Sequence, residues 1–299
     1  MKTPITKKYI DRKTNYIINS DTNVALTDFK DGSIDLMITS PGYFVGKNYE
    51  KKESFAEYLE YHTQTINLLK NKISPNGSIF WNVAQTPLEN EIIPLGAIYY
   101  KIFKDAGFYL KNWIIWHFEG GINTKNRLSG RYENILWFVK DKDNFKFNLD
   151  DIRVPAKWQG DKRVNPKGKN PTDVWEFKSK DLKEEELRFF IEEIKKDNER
   201  TKSNINDNFL YIDRVVNVSN EKTLHPCQFP EKLIERIIKA SSNKGDLVVD
   251  IFLGSGTTAK VSKELKRNFI GIECRKDYCI ISQERVGDTD NGKKENKNK

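Results

Sequence analysis

Apolar residues along the chain fall into short runs that end on an acid or a small polar residue. Tyr16-Ile17-Ile18-Asn19-Ser20-Asp21 reads as a strand closing on an acid, and Asn23-Val24-Ala25-Leu26 as a brief helix or turn. Ile34 to Thr39 has the near-continuous apolarity of a buried strand and runs directly into Ser40-Pro41-Gly42-Tyr43. Ser78 to Val83, Tyr109 to Trp116 and Asn134 to Val139 read as further strands, with Ser74-Pro75-Asn76-Gly77 as a turn. Helical spacing covers Phe55 to Leu69 and Ile92 to Phe103, and it returns after Pro230 with Leu233, Ile234, Ile237 and Ile238. Val248-Val249-Asp250-Ile251-Phe252-Leu253-Gly254-Ser255-Gly256-Thr257-Thr258 reads as strand, tight loop and helix start. Asn268 to Glu273 then gives one more strand ending in an acid.

The alternation is interrupted between about Asp141 and Asn220. Strand signals fade, charge density rises, and Lys157, Lys162, Arg163, Lys167 and Lys169 gather around Trp158. Leu182 to Lys195 reads as a highly charged amphipathic helix. This stretch is expected to form an inserted smaller domain, so the chain divides into residues 1–140, 141–220, 221–285 and a tail 286–299. The Lys/Asn-rich tail and the first fifteen residues are expected to be disordered or frayed.

Composition narrows the function classes. The 299 residues suffice for one sizeable core plus a smaller unit, and 31% are charged. No apolar run approaches the ~20 residues of a membrane span, and the N-terminus lacks the apolar core of a signal peptide, so a cytoplasmic location is expected. The net charge of +8 suits a polyanionic partner, although a generally Lys-rich proteome would produce the same balance. Cys227, Cys274 and Cys279 lack metal-ligand spacing, and His62, His117 and His225 form no local pair; no metal site is expected.

Two stretches carry candidate chemistry. Gly254 and Gly256 allow a sharp turn and close backbone approach to a ligand, and Glu273, about 20 residues on, suits a pair of ribose hydroxyls. Gly254, Gly256 and Ala259 also fit a dinucleotide fingerprint, and a ligand-free strand-to-helix turn is the plain alternative. Too little chain follows Glu273 to complete a doubly wound sheet, so its other strands must come from earlier residues, in a permuted order. At the other stretch, the Ser40 turn places a side-chain oxygen and a carbonyl at a strand's carboxyl end. Such acceptors can hold both hydrogens of a base amine while Tyr43 offers a face to an extruded base. A surface turn with a buried tyrosine is the alternative there.

Together with Asn165 to Trp175 and His225 to Pro230, these stretches resemble S-adenosylmethionine-dependent DNA amino-methyltransferases of the permuted β group. The likeness covers roughly Tyr16 to Tyr278. It implies an α/β fold, a Rossmann-like, mostly parallel sheet of the class I methyltransferase type, circularly permuted, with an inserted target recognition region. It implies S-adenosyl-L-methionine held by Phe252, Gly254, Ser255, Gly256 and Thr257, with Asp250 beside the ammonium and Glu273 on the ribose. Asp21 would sit near the adenine amine, and His225 and Phe229 would help close the methionine end. Ser40, Pro41, Gly42 and Tyr43 would form the catalytic turn. Double-stranded DNA would be the partner, contacted by Lys47, Lys125, Arg127, Arg131, Lys162, Arg163, Lys167 and Lys169, with a cognate restriction endonuclease acting separately.

One departure stands out: Gly42 replaces the second proline of the family's turn, which adds backbone freedom costing on the order of 0.5–1 kcal/mol to freeze. Ser rather than Asp at position 40, with Gly46 to Glu50, leans toward cytosine N4 as the target amine; adenine N6 is the alternative. A catalytically silent DNA-binding protein, a nicotinamide-dependent oxidoreductase and an RNA methylase are the rival readings.

Overall fold

The structure, a computed structural model, describes residues 15–47, 50, 52–118, 123–155, 165–177, 223 and 227–287. Ten strands lie in these residues: β1 (Tyr16–Asn19), β2 (Ile34–Thr39), β3 (Ile73–Val83), β4 (Thr86–Leu88), β5 (Glu91–Ile93), β6 (Tyr109–Phe118), β7 (Tyr132–Val139), β8 (Val174–Phe177), β9 (Leu247–Asp250) and β10 (Asn268–Glu273). The α-helices are α1 (Thr22–Leu26), α2 (Phe55–Lys72), α3 (Leu95–Asp105), α4 (Glu231–Ser241), α5 (Thr257–Glu264) and α6 (Lys276–Gly287).

Eight strands make one sheet in the order β1-β10-β9-β2-β3-β7-β6-β8. β1, β10, β9, β2 and β3 run parallel, and β7 runs antiparallel between β3 and β6. The two C-terminal strands therefore sit between the first and second strands of the chain, which is the permuted arrangement expected. Side chains alternate between two buried layers, as the two-residue period of a strand requires. Ile34, Met37, Ile79, Trp81 and Val249 pack with residues of α2 and α3, whereas Leu36, Ile38, Phe80 and Val248 pack with Leu233, Ile234 and Ile237 of α4.

Local chemistry explains where the elements depart from the sequence reading. The helix expected from Ile92 starts at Leu95 because Pro94 intervenes. A proline disfavours helical geometry in the residue before it, and Ile92 and Ile93 instead pair in the small β4–β5 hairpin. The turn residues Ser74 to Gly77 lie inside β3, where the register with β2 shifts between Ile34 and Leu36. A Cβ on Gly77 would come within 2.8 Å of Ile73 Cγ2, so the irregular stretch needs glycine. α2 begins as expected, with a capping box between Ser54 and Glu57.

The described parts of residues 141–220 lie against this sheet. Val174–Phe177 adds to the edge strand β6. Lys146 Nζ reaches Asp246 at 2.6 Å and Asp35 at 3.2 Å, and Asn148 Nδ2 donates to the carbonyls of Lys239 and Ser242 at the end of α4. The helix expected over Leu182 to Lys195, the tail beyond 287 and the first fourteen residues lie outside the described residues. Among those described, no helix is long and apolar enough to cross a membrane, and no cluster of His, Cys, Asp or Glu could hold a metal ion.

Candidate active site

Parallel strands deliver their C-terminal residues to one edge of the sheet. That edge collects Asp21 after β1, Glu273 of β10, Asp250 of β9, Ser40 after β2 and Asn82 of β3. The edge opens where connections leave in opposite directions from neighbouring strands, here between β9 and β2. A buried hydrogen bond spans this point: Thr39 Oγ1 donates to Asp250 Oδ1 at 2.8 Å. The Ser40 turn and the Gly254 loop, 211 residues apart at that bond, are therefore neighbours.

Asp250 is 2% exposed and also accepts from Thr258 Oγ1 (2.7 Å) and the Phe252 amide (3.1 Å). Burial pushes its carboxyl up to about 6, above the ordinary 3.8, against the lowering effect of those donors. The folded state thus holds a proton more tightly than the unfolded chain between about pH 3.8 and 6. Stability from this group is highest at the acid end of that window, falls as pH rises through it and stays level above. Urea midpoints should show that slope in the wild type and lose it in Asp250→Asn; identical slopes would contradict it.

The cofactor-type loop is held from both sides. Gly254 (φ 54°) and Gly256 (φ 81°) are left-handed, which glycine adopts without strain. Gly254 N–H donates to Glu273 Oε2 at 2.9 Å, and Glu273 Oε1 accepts the Arg275 amide at 2.9 Å. At Gly256 the direction of a Cβ is filled by Ser282 of α6, at 2.7 Å, so helix packing leaves no room for a side chain there. Arg285, also on α6, binds the hydroxyls of Thr257 (2.7 Å) and Ser255 (3.2 Å) and pairs with Glu231 at 2.6 Å. Phe252 lies half-buried against His62 and Trp81, and Phe229 lends its carbonyl to Thr257 Oγ1. Asp21 caps α1 through the amides of Asn23 and Val24, and Tyr61 donates its hydroxyl to Asp21 Oδ2 at 3.0 Å.

The turn after β2 is anchored by tyrosines. Tyr58 O–H donates to the Gly42 carbonyl at 2.7 Å and also lies 2.8 Å from the Tyr99 hydroxyl. Ser40 Oγ is 2.7 Å from Tyr43 Oη, which donates to Glu133 Oε2 at 2.8 Å and accepts from Asn82 Nδ2 at 2.7 Å. A Cβ on Gly42 would lie 3.1 Å from Glu50 Cγ, a flexible side chain that can shift. Gly42→Pro should therefore retain or raise catalytic turnover; complete loss of activity would show that the turn has been aligned wrongly.

The basic candidates separate. Lys125 and Arg127 are exposed in the loop leading into β7, at the same edge, and Arg131 there donates to Asn123 Oδ1 at 2.6 Å. Lys47, exposed, follows the Ser40 turn. Lys167 pairs with Asp150 at 2.5 Å and Lys169 forms a bridge with Val154, in a segment that follows Asn148 at the C-terminal end of α4. His225, Lys162 and Arg163 lie outside the described residues. Sequence reasoning missed Glu133, Asn82, Thr39, Thr258, Tyr58 and Arg285. A polar residue inside an apolar strand run was the available signal for Asn82 and Glu133; Arg285 had none.

Comparison with known proteins agrees with this arrangement. The family profile described as DNA methylase, covering N6 and N4 enzymes, matches residues 34–284. The chain is 36% identical over 279 residues to type II methyltransferase M.BglII of Bacillus subtilis, spanning 90% of this chain and 68% of that protein. It is 30% identical over 278 residues to DNA adenine methyltransferase YhdJ of Escherichia coli, spanning 90% and 82%. The cytosine-N4-specific PvuII DNA methyltransferase shares the fold, with a TM-score of 0.64 at 19% identity over 91% of this chain and 86% of that one. The chain belongs to the N6/N4 DNA methylase family, the amino-methyltransferases of DNA that take their methyl group from S-adenosylmethionine.

Proposed function

We propose that this enzyme methylates the N4 amine of a cytosine flipped out of duplex DNA, as the modification enzyme of a restriction-modification system. The reading of the target base rests on Ser40: the turn carries a short neutral hydroxyl where a carboxylate would be the other choice for an amine acceptor. Adenine N6 is the second reading, favoured by the likeness to an adenine methyltransferase.

The loop residues fit the methyl donor. Glu273, 8% exposed at the end of β10, offers acceptors for ribose hydroxyls, and Asp21 lies at the neighbouring strand end for an adenine amine. Phe252 presents a half-buried ring beside the loop, and the buried charge of Asp250 balances an ammonium. The donor supplies a methyl group already activated by a sulfonium. The protein's own task is then alignment and exclusion of water. Ser40 Oγ and the Pro41 carbonyl accept the two amine hydrogens and turn the nitrogen lone pair out of the ring plane. Tyr43 gives the base a stacking surface. Lys47, Lys125, Arg127 and Arg131 hold phosphates near the opening. After transfer the nitrogen is cationic and sheds its surplus proton to solvent.

Single-molecule sequencing of DNA from a host expressing this chain tests the proposal. N4-methylcytosine at one recurring sequence is expected. N6-methyladenine would select the second reading, and unmodified DNA from a folded, cofactor-binding protein would favour a silent DNA binder.

A further inference from the structure

Behind the Ser40 turn lies a buried polar cluster drawn from the turn and from strands β3 and β7. Tyr43 Oη touches Ser40 Oγ at 2.7 Å, Asn82 Nδ2 at 2.7 Å and Glu133 Oε2 at 2.8 Å, and Asn82 Nδ2 also donates to Glu133 Oε2 at 2.6 Å. Glu133 is 8% exposed and Asn82 3%. Neither belongs to the turn, and the cofactor loop touches neither through these bonds.

The protons in this cluster can be counted. A phenol has one proton to give and two lone pairs to receive with; a carboxylate only receives; an amide nitrogen only gives. Tyr43 must therefore spend its single proton on Glu133. The Asn82 amide occupies one Tyr43 lone pair. The contact with Ser40 can then run only one way, with the serine hydroxyl donating to Tyr43. Ser40 Oγ is left with its lone pairs directed elsewhere and no proton to offer.

We infer that Glu133 is a positioning residue that sets the direction of the Ser40–Tyr43 hydrogen bond, so that Ser40 meets the target amine as an acceptor. Burial, and next the charge of Glu133, raise the Tyr43 hydroxyl well above its ordinary value of 10.0, so it stays protonated and can act as the donor. Without the carboxylate, the Tyr43 proton is free to turn toward Ser40. The serine proton then points at the amine hydrogens it should receive. The inference rests on the reading of Ser40 as the amine acceptor.

The test is a mutant cycle read by methyl transfer from tritiated S-adenosylmethionine to duplex DNA. Glu133→Met keeps the bulk but removes the acceptor; it should lower kcat about tenfold, the scale of one lost or inverted hydrogen bond, with KM for the cofactor unchanged. Glu133→Gln retains a carbonyl acceptor and should recover most of that loss. Tyr43→Phe keeps the ring and should itself lower kcat severalfold; in that background Glu133→Met should have little further effect, since the residue it controls is gone. Wild-type kcat in a folded Glu133→Met, or equal losses with and without the Tyr43 hydroxyl, would overturn the inference. Should Glu133→Met fail to fold, full turnover in Tyr43→Phe overturns it equally. Ser40→Ala separates the two levels: unimpaired methylation there rejects the Ser40 reading itself, whereas loss in Ser40→Ala with unchanged Glu133→Met rejects only the role of Glu133.

Discussion

Ser40→Ala should lower methylation turnover by about 100-fold or more, the usual scale for removing one preorganised polar contact from a transition state. The nitrogen becomes positively charged as the new bond forms, so an acceptor on its hydrogens is worth more there than in the ground state. Cofactor affinity should not change. The link from the turn to the cofactor loop runs through Thr39 and Asp250, which the substitution leaves in place. Single-turnover transfer and cofactor titration check the two halves of this expectation. Turnover near the wild-type level would remove Ser40 from the chemistry.

Gly256→Ala should act on the other side of the site, abolishing cofactor binding and lowering the unfolding temperature. The position has φ 81°, where a side chain costs about 1–2 kcal/mol. Its Cβ would also stand 2.7 Å from Ser282 Cβ and 3.0 Å from Ser282 Cα, and the second of these is backbone. Relief requires α6 to move, and overpacking of this kind costs about 1–3 kcal/mol more. Moving α6 displaces Arg285, which holds Thr257 and Ser255. Adding Ser282→Gly should restore stability in part, because it removes the Cβ contact but neither the backbone contact nor the φ cost. Calorimetric titration and thermal unfolding read both effects; a Gly256→Ala protein that binds cofactor like the wild type would show that the loop tolerates a different path.

Much of the architecture was legible from local pattern. Buried strands such as Ile34–Thr39 and Leu247–Asp250 appear as apolar runs, and α2 is announced by its helical spacing. The permutation stands in the strand order, which seats β10 and β9 between β1 and β2. Errors came where one local rule overrode another: Pro94 displaced a helix start that periodicity alone placed at Ile92. β8 was hidden because four residues at a sheet edge carry too short a pattern to stand out from the charged stretch around them.

The candidate site was only half legible. Its turn and its glycine loop could be found because their backbone geometry demands particular residues. Glu133 and Asn82 could not be assigned, since an acid or amide within a strand has no local reason to be there. Their reason is Tyr43, 90 and 39 residues away.

The amino-acid sequence by itself determined the elements, their polarity and the two chemical turns, because propensity, hydrophobic period and glycine or proline geometry act over a few neighbouring residues. Only the tertiary structure decided that Thr39 would grip Asp250, that Ser282 would fill the space of a side chain at 256, and that Glu133 would face Tyr43. Those choices depend on strand order and register, which bring side chains from distant parts of the chain to one sheet edge.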